Sequence, residues 1–260
     1  MPSLNDFTLV YNTYEKDIEW LRYALLSAKK YINTSNILIY YHNTCEQQLL
    51  NMLKEVNINC KCIPVYYDYH GYLKAMVTKC ICFNDVITPY VVITDSDTLF
   101  IKPFKLEDEF IDERLKFHYR RITDNETNRV WDEAVLRMTK EEIVNIYECN
   151  SHPLVFKTIT LKEAYQKFYE MHNVDYSIFC KQLSSAFGIA INQSDFDKKW
   201  FSKVSRVFYD FEWLGWFIHH FASHDYLMLE TPRAMRVRQF RSYGGITPAV
   251  KYEIQQYLAD

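Results

Sequence analysis

The chain has 260 residues, 48% hydrophobic and 24% charged, with a formal net charge of −3. Such a composition supplies a sizeable core and excludes a chain dominated by disorder. A slightly acidic chain without a long lysine or arginine run also lacks the footprint of a nucleic-acid binder.

In chain order, Phe7 to Tyr11 is a short apolar strand ended by Asn12-Thr13. The spacing of Ile18, Leu21, Leu25 and Ala28 predicts a helix from Glu15 to Tyr31. Asn36 to Tyr41 is a second strand, and Cys45 to Val56 a second helix built on Leu49, Leu50 and Leu53. Cys60 to Val65 is a third strand, and Leu73, Met76, Val77 and Cys80 predict a helix over Tyr72 to Asn84. Tyr90-Val91-Val92-Ile93 then runs into Thr94-Asp95-Ser96-Asp97, a buried strand that delivers two acids to its carboxyl end.

This alternation predicts an α/β fold with a mostly parallel, doubly wound central sheet flanked by helices. Ligands bind such sheets at the carboxyl ends of strands, where Asn12-Thr13-Tyr14 and Asp95-Ser96-Asp97 both fall. No G-x-G-x-x-G follows the first strand and no G-x-x-x-x-G-K-[ST] occurs, which argues against dehydrogenase and P-loop chemistry.

Beyond Pro103 the pattern is less regular. Lys116 to Arg121 reads as a strand, Asn150-Ser151-His152-Pro153 as a turn, and Leu161 to His172 and Tyr176 to Gln182 as helices. Ser185 to Asn192 reads as a strand containing Gly188; Asp195 to Val207 and Asp210 to Phe221 read as helices, and Tyr226 to Glu230 as a last strand. Arg233, Arg236, Arg238 and Arg241 follow. With no linker and no repeat, a single domain over 1–260 is expected, residues 1–104 holding the nucleotide and 105–260 forming the acceptor side.

The seven cysteines are odd in number, and Cys60-Lys61-Cys62 and Cys80-Ile81-Cys82 have C-x-C rather than zinc-site spacing. They are expected to be reduced, small hydrophobes. Met1 to Asp6 is polar and no apolar run is long enough to span a bilayer, so a soluble, cytoplasmic protein is expected.

Asp95 and Asp97, two residues apart, can grip one Mn²⁺ or Mg²⁺, and that ion can hold a diphosphate. The plain alternative is an aspartate-rich turn. Crowding two carboxylates after a buried strand is costly without a cation, which favours the functional reading. Asn12, Thr13 and Tyr14 would meet a base and ribose. Asp17 fits the first turn of its helix, and Lys79 is a candidate phosphate or nucleotide contact. Arg236, Arg238 and Arg241 are candidates for closing over the diphosphate.

These residues resemble a GT-A glycosyltransferase, with Asp95-Ser96-Asp97 matching the D-x-D motif in type and placement. Small GT-A-like proteins of bacteria and of large DNA viruses of algae are similar in three further features. These are the helix bearing Lys74 and Lys79, the Asn150-Ser151-His152-Pro153 turn, and Glu212-Trp213. The resemblance implies transfer of a sugar from a UDP- or GDP-sugar to a glycan hydroxyl, as a hexosyl- or pentosyltransferase, with inversion slightly favoured. It implies Asp97 as direct metal ligand, Asp95 toward the ribose or a metal-bound water, Ser96 among the donor-binding residues, and His224 as third ligand, with His219 and His220 as rivals. Gly188 would lie in a loop near donor and acceptor, and His152 would meet the acceptor. Glu212 would be the general base, with Asp210 as its substitute. A viral member would work in the host cytoplasm. Two other readings stand beside this one: a non-catalytic nucleotide or carbohydrate binder, and a metal-dependent phosphatase. The phosphatase motif wants D-x-D-x-[TV] near the chain start, whereas Leu99 stands at its last position here.

Overall fold

The computed structural model describes residues 6–32, 34–66, 70–121, 132–140, 147–148, 153–189, 204, 206–230, 237–240 and 245–259. The first half alternates as expected: β1 (Phe7–Thr13), α1 (Ile18–Tyr31), β2 (Ile37–His42), α2 (Glu46–Val56), β3 (Lys61–Val65), α3 (Gly71–Ile81) and β4 (Tyr90–Ile93). Short 3-10 turns precede α1 at Glu15–Asp17 and follow α3 at Cys82–Asn84. Those two helices are therefore shorter than the sequence periodicity suggests. In α2 the apolar face is Leu49, Met52, Leu53 and Val56, while Leu50 is exposed. Asn57 ends that helix in the left-handed region, which an asparagine tolerates.

β5 (Thr98–Phe100), β6 (Phe110–Ile111), β7 (Arg114–Arg121), α4 (Asp132–Thr139), β8 (Tyr147–Glu148), β9 (Leu154–Lys157), α5 (Thr158–His172) and α6 (Tyr176–Ala186) come next. α7 (Asp210–Phe221), β10 (Tyr226–Glu230), β11 (Val237–Gln239) and α8 (Pro248–Ala259) complete the described chain. The central sheet has the order β3-β2-β1-β4-β9, parallel except for β9, which runs antiparallel to β4. β7 pairs in parallel with β10 and antiparallel with β6 and β8, and β11 pairs antiparallel with β5.

The connection from β1 to β2 to β3 runs one way across the sheet, and β4 returns to the other side of β1. Since parallel crossovers keep one hand, that reversal puts α3 on the opposite face from α1 and α2. The contacts agree: α1 touches α2 and α8, whereas α3 packs with α5, α6 and α7. One apolar cluster runs from Phe7 through the sheet to Tyr226 and so spans both halves of the chain. A smaller one gathers Trp20, Tyr23, Leu99, Phe240 and Ile254, fastening β11 and α8 onto α1. Among the described residues no helix is long and apolar enough to cross a membrane.

Over Ser185 to Ile189 the expected strand is a helix end instead, and Ala190 to Asn192 lie outside the described residues. Gly188 has φ +60°, and its N–H reaches Ser185 O at 3.1 Å while Ile189 N–H reaches Ser184 O at 2.9 Å. This pair of bonds is a Schellman ending, with buried Ile189 supplying its apolar contact. Gly188 therefore stops α6; the apolar run around it looks like a strand only in one dimension. Nearly all of the helix expected over Asp195 to Val207 lies outside the described residues.

Candidate functional site

Because β1 and β4 are neighbours while the chain leaves β1 toward β2, the crevice between their carboxyl ends is the switch point of the sheet. Asn12 and Thr13 close β1, Thr13 buried, and Tyr14 follows at 46% exposure. On the other side Thr94 N–H donates to Val10 O at 3.1 Å, and Thr98 N–H closes a tight turn onto Asp95 O at 3.1 Å. Ser96 and Asp97 are buried within that turn. Ser96 Oγ donates to Asp17 Oδ2 at 3.1 Å, tying the β4 turn to the segment after β1. Asp17 does occupy the N-cap position of α1, yet its carboxylate makes no capping bond there and holds Ser96 instead.

Lys79, on the last turn of α3, enters beneath this turn. Its Nζ lies 2.6 Å from Asp95 Oδ1 and 3.6 Å from Asp210 Oδ2, and 4.5 Å from the centre of the Phe211 ring. The residue is only 5% exposed. Burial alone pulls a lysine pKa down, but Asp95, Asp210 and Asp97 together outweigh it and hold the ammonium above the ordinary lysine range. The ring face adds a further attraction. β11 covers the turn from outside: Gln239 Nε2 donates to Asp95 Oδ2 at 3.3 Å, and Phe240 N–H to Asp97 O at 2.8 Å.

The structure thus brings Asp95, Ser96, Asp97, Lys79 and Asp210 together, with Asn12, Thr13 and Tyr14 across the crevice. Asp210 opens α7 and is 0% exposed. Glu212 follows two residues later in the same first turn of α7. Glu212 is itself buried, at 4% exposure. Trp213 Nε1 donates to Tyr176 Oη at 2.8 Å, which locks α7 against α6.

Other expected residues are elsewhere. His224 is exposed (77% for the side chain), and its Nε2 stands 3.8 Å from Asp225 Oδ2. Asp225 pairs with Lys157 at 2.5 Å, and Lys157 sits opposite Tyr90, the first residue of β4. His224 therefore belongs to the end of β4 opposite to the one that delivers Asp95, and it is not brought to the aspartates. Arg238 pairs with Glu253 at 2.9 Å and lies over Phe240. His152, Arg233, Arg236 and Arg241 lie outside the described residues.

Sequence reasoning missed Gln239, since a three-residue strand has no period to read. It also missed His42, which the strand-end rule could have found. His42 closes β2, and its Nε2 meets Lys74 Nζ at 3.2 Å. Burial first, then Lys74, lowers its pKa, so the neutral ring accepts from the lysine. A groove lined by Asn36, Cys60, Lys61, Asp85 and Ile87 opens at the amino-terminal edge of the sheet instead. Its charged pair is already closed, Lys61 to Asp85 at 3.2 Å.

The donor set also bears on the divalent ion that the resemblance implies. One oxygen of Asp95 faces an ammonium and the other an amide. Hard cations take their oxygens at about 2.0–2.6 Å, so an ion on either oxygen of Asp95 would stand within about 7 Å of Lys79. Like charges that close repel by several kcal/mol at an effective dielectric of about 20. The arrangement does not fit a divalent ion gripped by both aspartates.

The sequence matches no family model and no curated protein. Among solved structures, it is similar to a 4-diphosphocytidyl-2C-methyl-D-erythritol synthase from Anaerococcus prevotii DSM 20548. The TM-score is 0.47 at 9% identity, covering 99% of this chain and 97% of that one. It is also similar to the galactosyltransferase LgtC, solved with donor and acceptor sugar analogs, with a TM-score of 0.48 at 10% identity. That match covers 97% of this chain and 95% of the other. Likeness at this level assigns neither an activity nor a family to the chain.

Proposed function

We propose that the chain is a GT-A-type glycosyltransferase that moves a hexosyl or pentosyl group from a UDP- or GDP-sugar to a glycan hydroxyl. The observation that carries this reading is the switch-point crevice, where the end of β1 and the Asp95-Ser96-Asp97 turn face each other and are joined through Asp17. In this reading Asn12, Thr13 and Tyr14 hold the base and ribose, and Asp95 and Ser96 lie along the ribose and diphosphate. The acceptor oxygen attacks the anomeric carbon, the bond to the diphosphate breaks, and the electron pair leaves with the diphosphate. Asp210 is committed to Lys79, so Glu212 is the α7 carboxylate assigned to take the acceptor's proton, with inversion at the sugar.

Melting curves with UDP, GDP and their sugars test the reading. A rise of several degrees with one nucleotide series is expected, and no rise with any of them would sink it. Glu212→Gln should then keep nucleotide binding while transfer falls by roughly 10²-fold or more. The burial of both α7 acids favours a second reading, a nucleotide or carbohydrate binder without turnover. Nucleotide binding with no transfer to any acceptor, unchanged in Glu212→Gln, would establish that one.

A further inference from the structure

We propose that Lys79 is the resident cation of the Asp95-Ser96-Asp97 site, standing where a divalent metal would otherwise be needed, and that nucleotides bind there without one. The second clause rests on the transferase reading; the first stands on the geometry alone.

Carboxylates crowded behind a buried strand require a positive charge. That charge is present in the chain. The ammonium of Lys79 touches Asp95 at 2.6 Å, reaches Asp210 at 3.6 Å and feels Asp97. It is not a surface lysine folded in by chance. Its residue is buried on α3, its charge lies over Phe211 from α7, and its acids come from β4 and α7. Three elements would have to part for it to leave.

The same lysine supplies what a bridging ion supplies in such a site, a fixed positive charge joining the β4 turn to a neighbouring helix. It differs in being covalently attached and independent of ion concentration. One ammonium against three carboxylates still leaves negative charge behind. Removing Lys79 should therefore turn the same acids into a place that takes up a free cation.

The test uses Mn²⁺ alone on the full chain, read by melting temperature and by loss of the free-ion electron paramagnetic resonance signal. Wild type should neither gain stability nor take up the ion at millimolar Mn²⁺. Lys79→Met keeps the aliphatic stem against Phe211 and removes the charge. It should take up Mn²⁺ and melt roughly 5 °C or more higher with the ion than without it. Uptake by wild type that disappears in Asp97→Ala would overturn the proposal, as would absence of uptake in both wild type and Lys79→Met. The wild-type arm decides even if Lys79→Met fails to fold.

A nucleotide arm closes the test. Binding to wild type should be the same in EDTA and in Mn²⁺; binding lost in EDTA and restored by Mn²⁺ would overturn the metal-free claim. No nucleotide binding under either condition would instead strike the transferase reading and with it the second clause, leaving Lys79 as resident cation to the Mn²⁺ arms.

Discussion

β4 carries a lysine–aspartate pair near each end, and the two pairs are built differently. At its amino end Lys157 meets Asp225 with His224 nearby, all partly or largely in solvent. At its carboxyl end Lys79 meets Asp95 and Asp210, with Lys79 and Asp210 buried. The residue types match, but the surroundings do not. In water an ion pair is a weak tie; out of water each partner depends on the other. The contrast shows which set of charges the fold has taken trouble to enclose, and that set lies at the switch point of the sheet.

Removing one acid from each end is the strongest way to break the contrast. Asp210→Ala withdraws a partner from a buried ammonium and should cost about 3–5 kcal/mol, the usual result of stripping half a buried pair. Asp225→Ala should cost less than about 1 kcal/mol, because its lysine can turn to solvent. Urea unfolding of both variants beside wild type measures the two losses. Equal losses would mean that the carboxyl-end cluster is no more enclosed than the amino-end pair.

Much of this layout is legible in the sequence, and the failures have physical causes. The first four strands and three helices announce themselves, the strands as short apolar runs and the helices by a buried face at their own period, as in Leu21, Leu25 and Ala28 of α1. β9 does not, since it runs straight into α5 with no turn between them, and β11 does not, since three residues are too few for a pattern. Gly188 misleads because an apolar run around a glycine suits a strand as well as a helix end. The aspartate pair was legible at the end of β4, where two crowded acids call for a positive charge. That Lys79 and not Lys74 meets the need depends on how α3 packs against β1 and α7, which no local spacing encodes. His224 misleads for a similar reason: it follows Glu212 in chain order, but the turn into β10 carries it to the far end of the sheet.

A smaller effect sharpens the comparison from within the carboxyl end. Ser96 and Asp17 are both buried and share one hydrogen bond across the crevice. Ser96→Ala deletes the donor and leaves a buried carboxylate short of a partner, at a cost of about 1–3 kcal/mol. Under the transferase reading it should also weaken nucleotide binding, since the two banks of the crevice lose their link. A melting temperature within a degree of wild type would show that the crevice is not held by this bond.

The smallest effect belongs to His224. Its ring is mostly in solvent, its Nε2 stands 3.8 Å from Asp225 Oδ2, and Asp225 already has Lys157 at 2.5 Å. His224→Ala should therefore change stability by no more than about 0.5 kcal/mol, the range of surface substitutions away from special features. It should leave the Mn²⁺ response of Lys79→Met untouched when the two changes are combined, because β4 separates the sites by several residues of extended chain, about 3.3 Å each. A double variant that lost its Mn²⁺ uptake would place His224 among the aspartates after all and would erase the distinction between the two ends of β4.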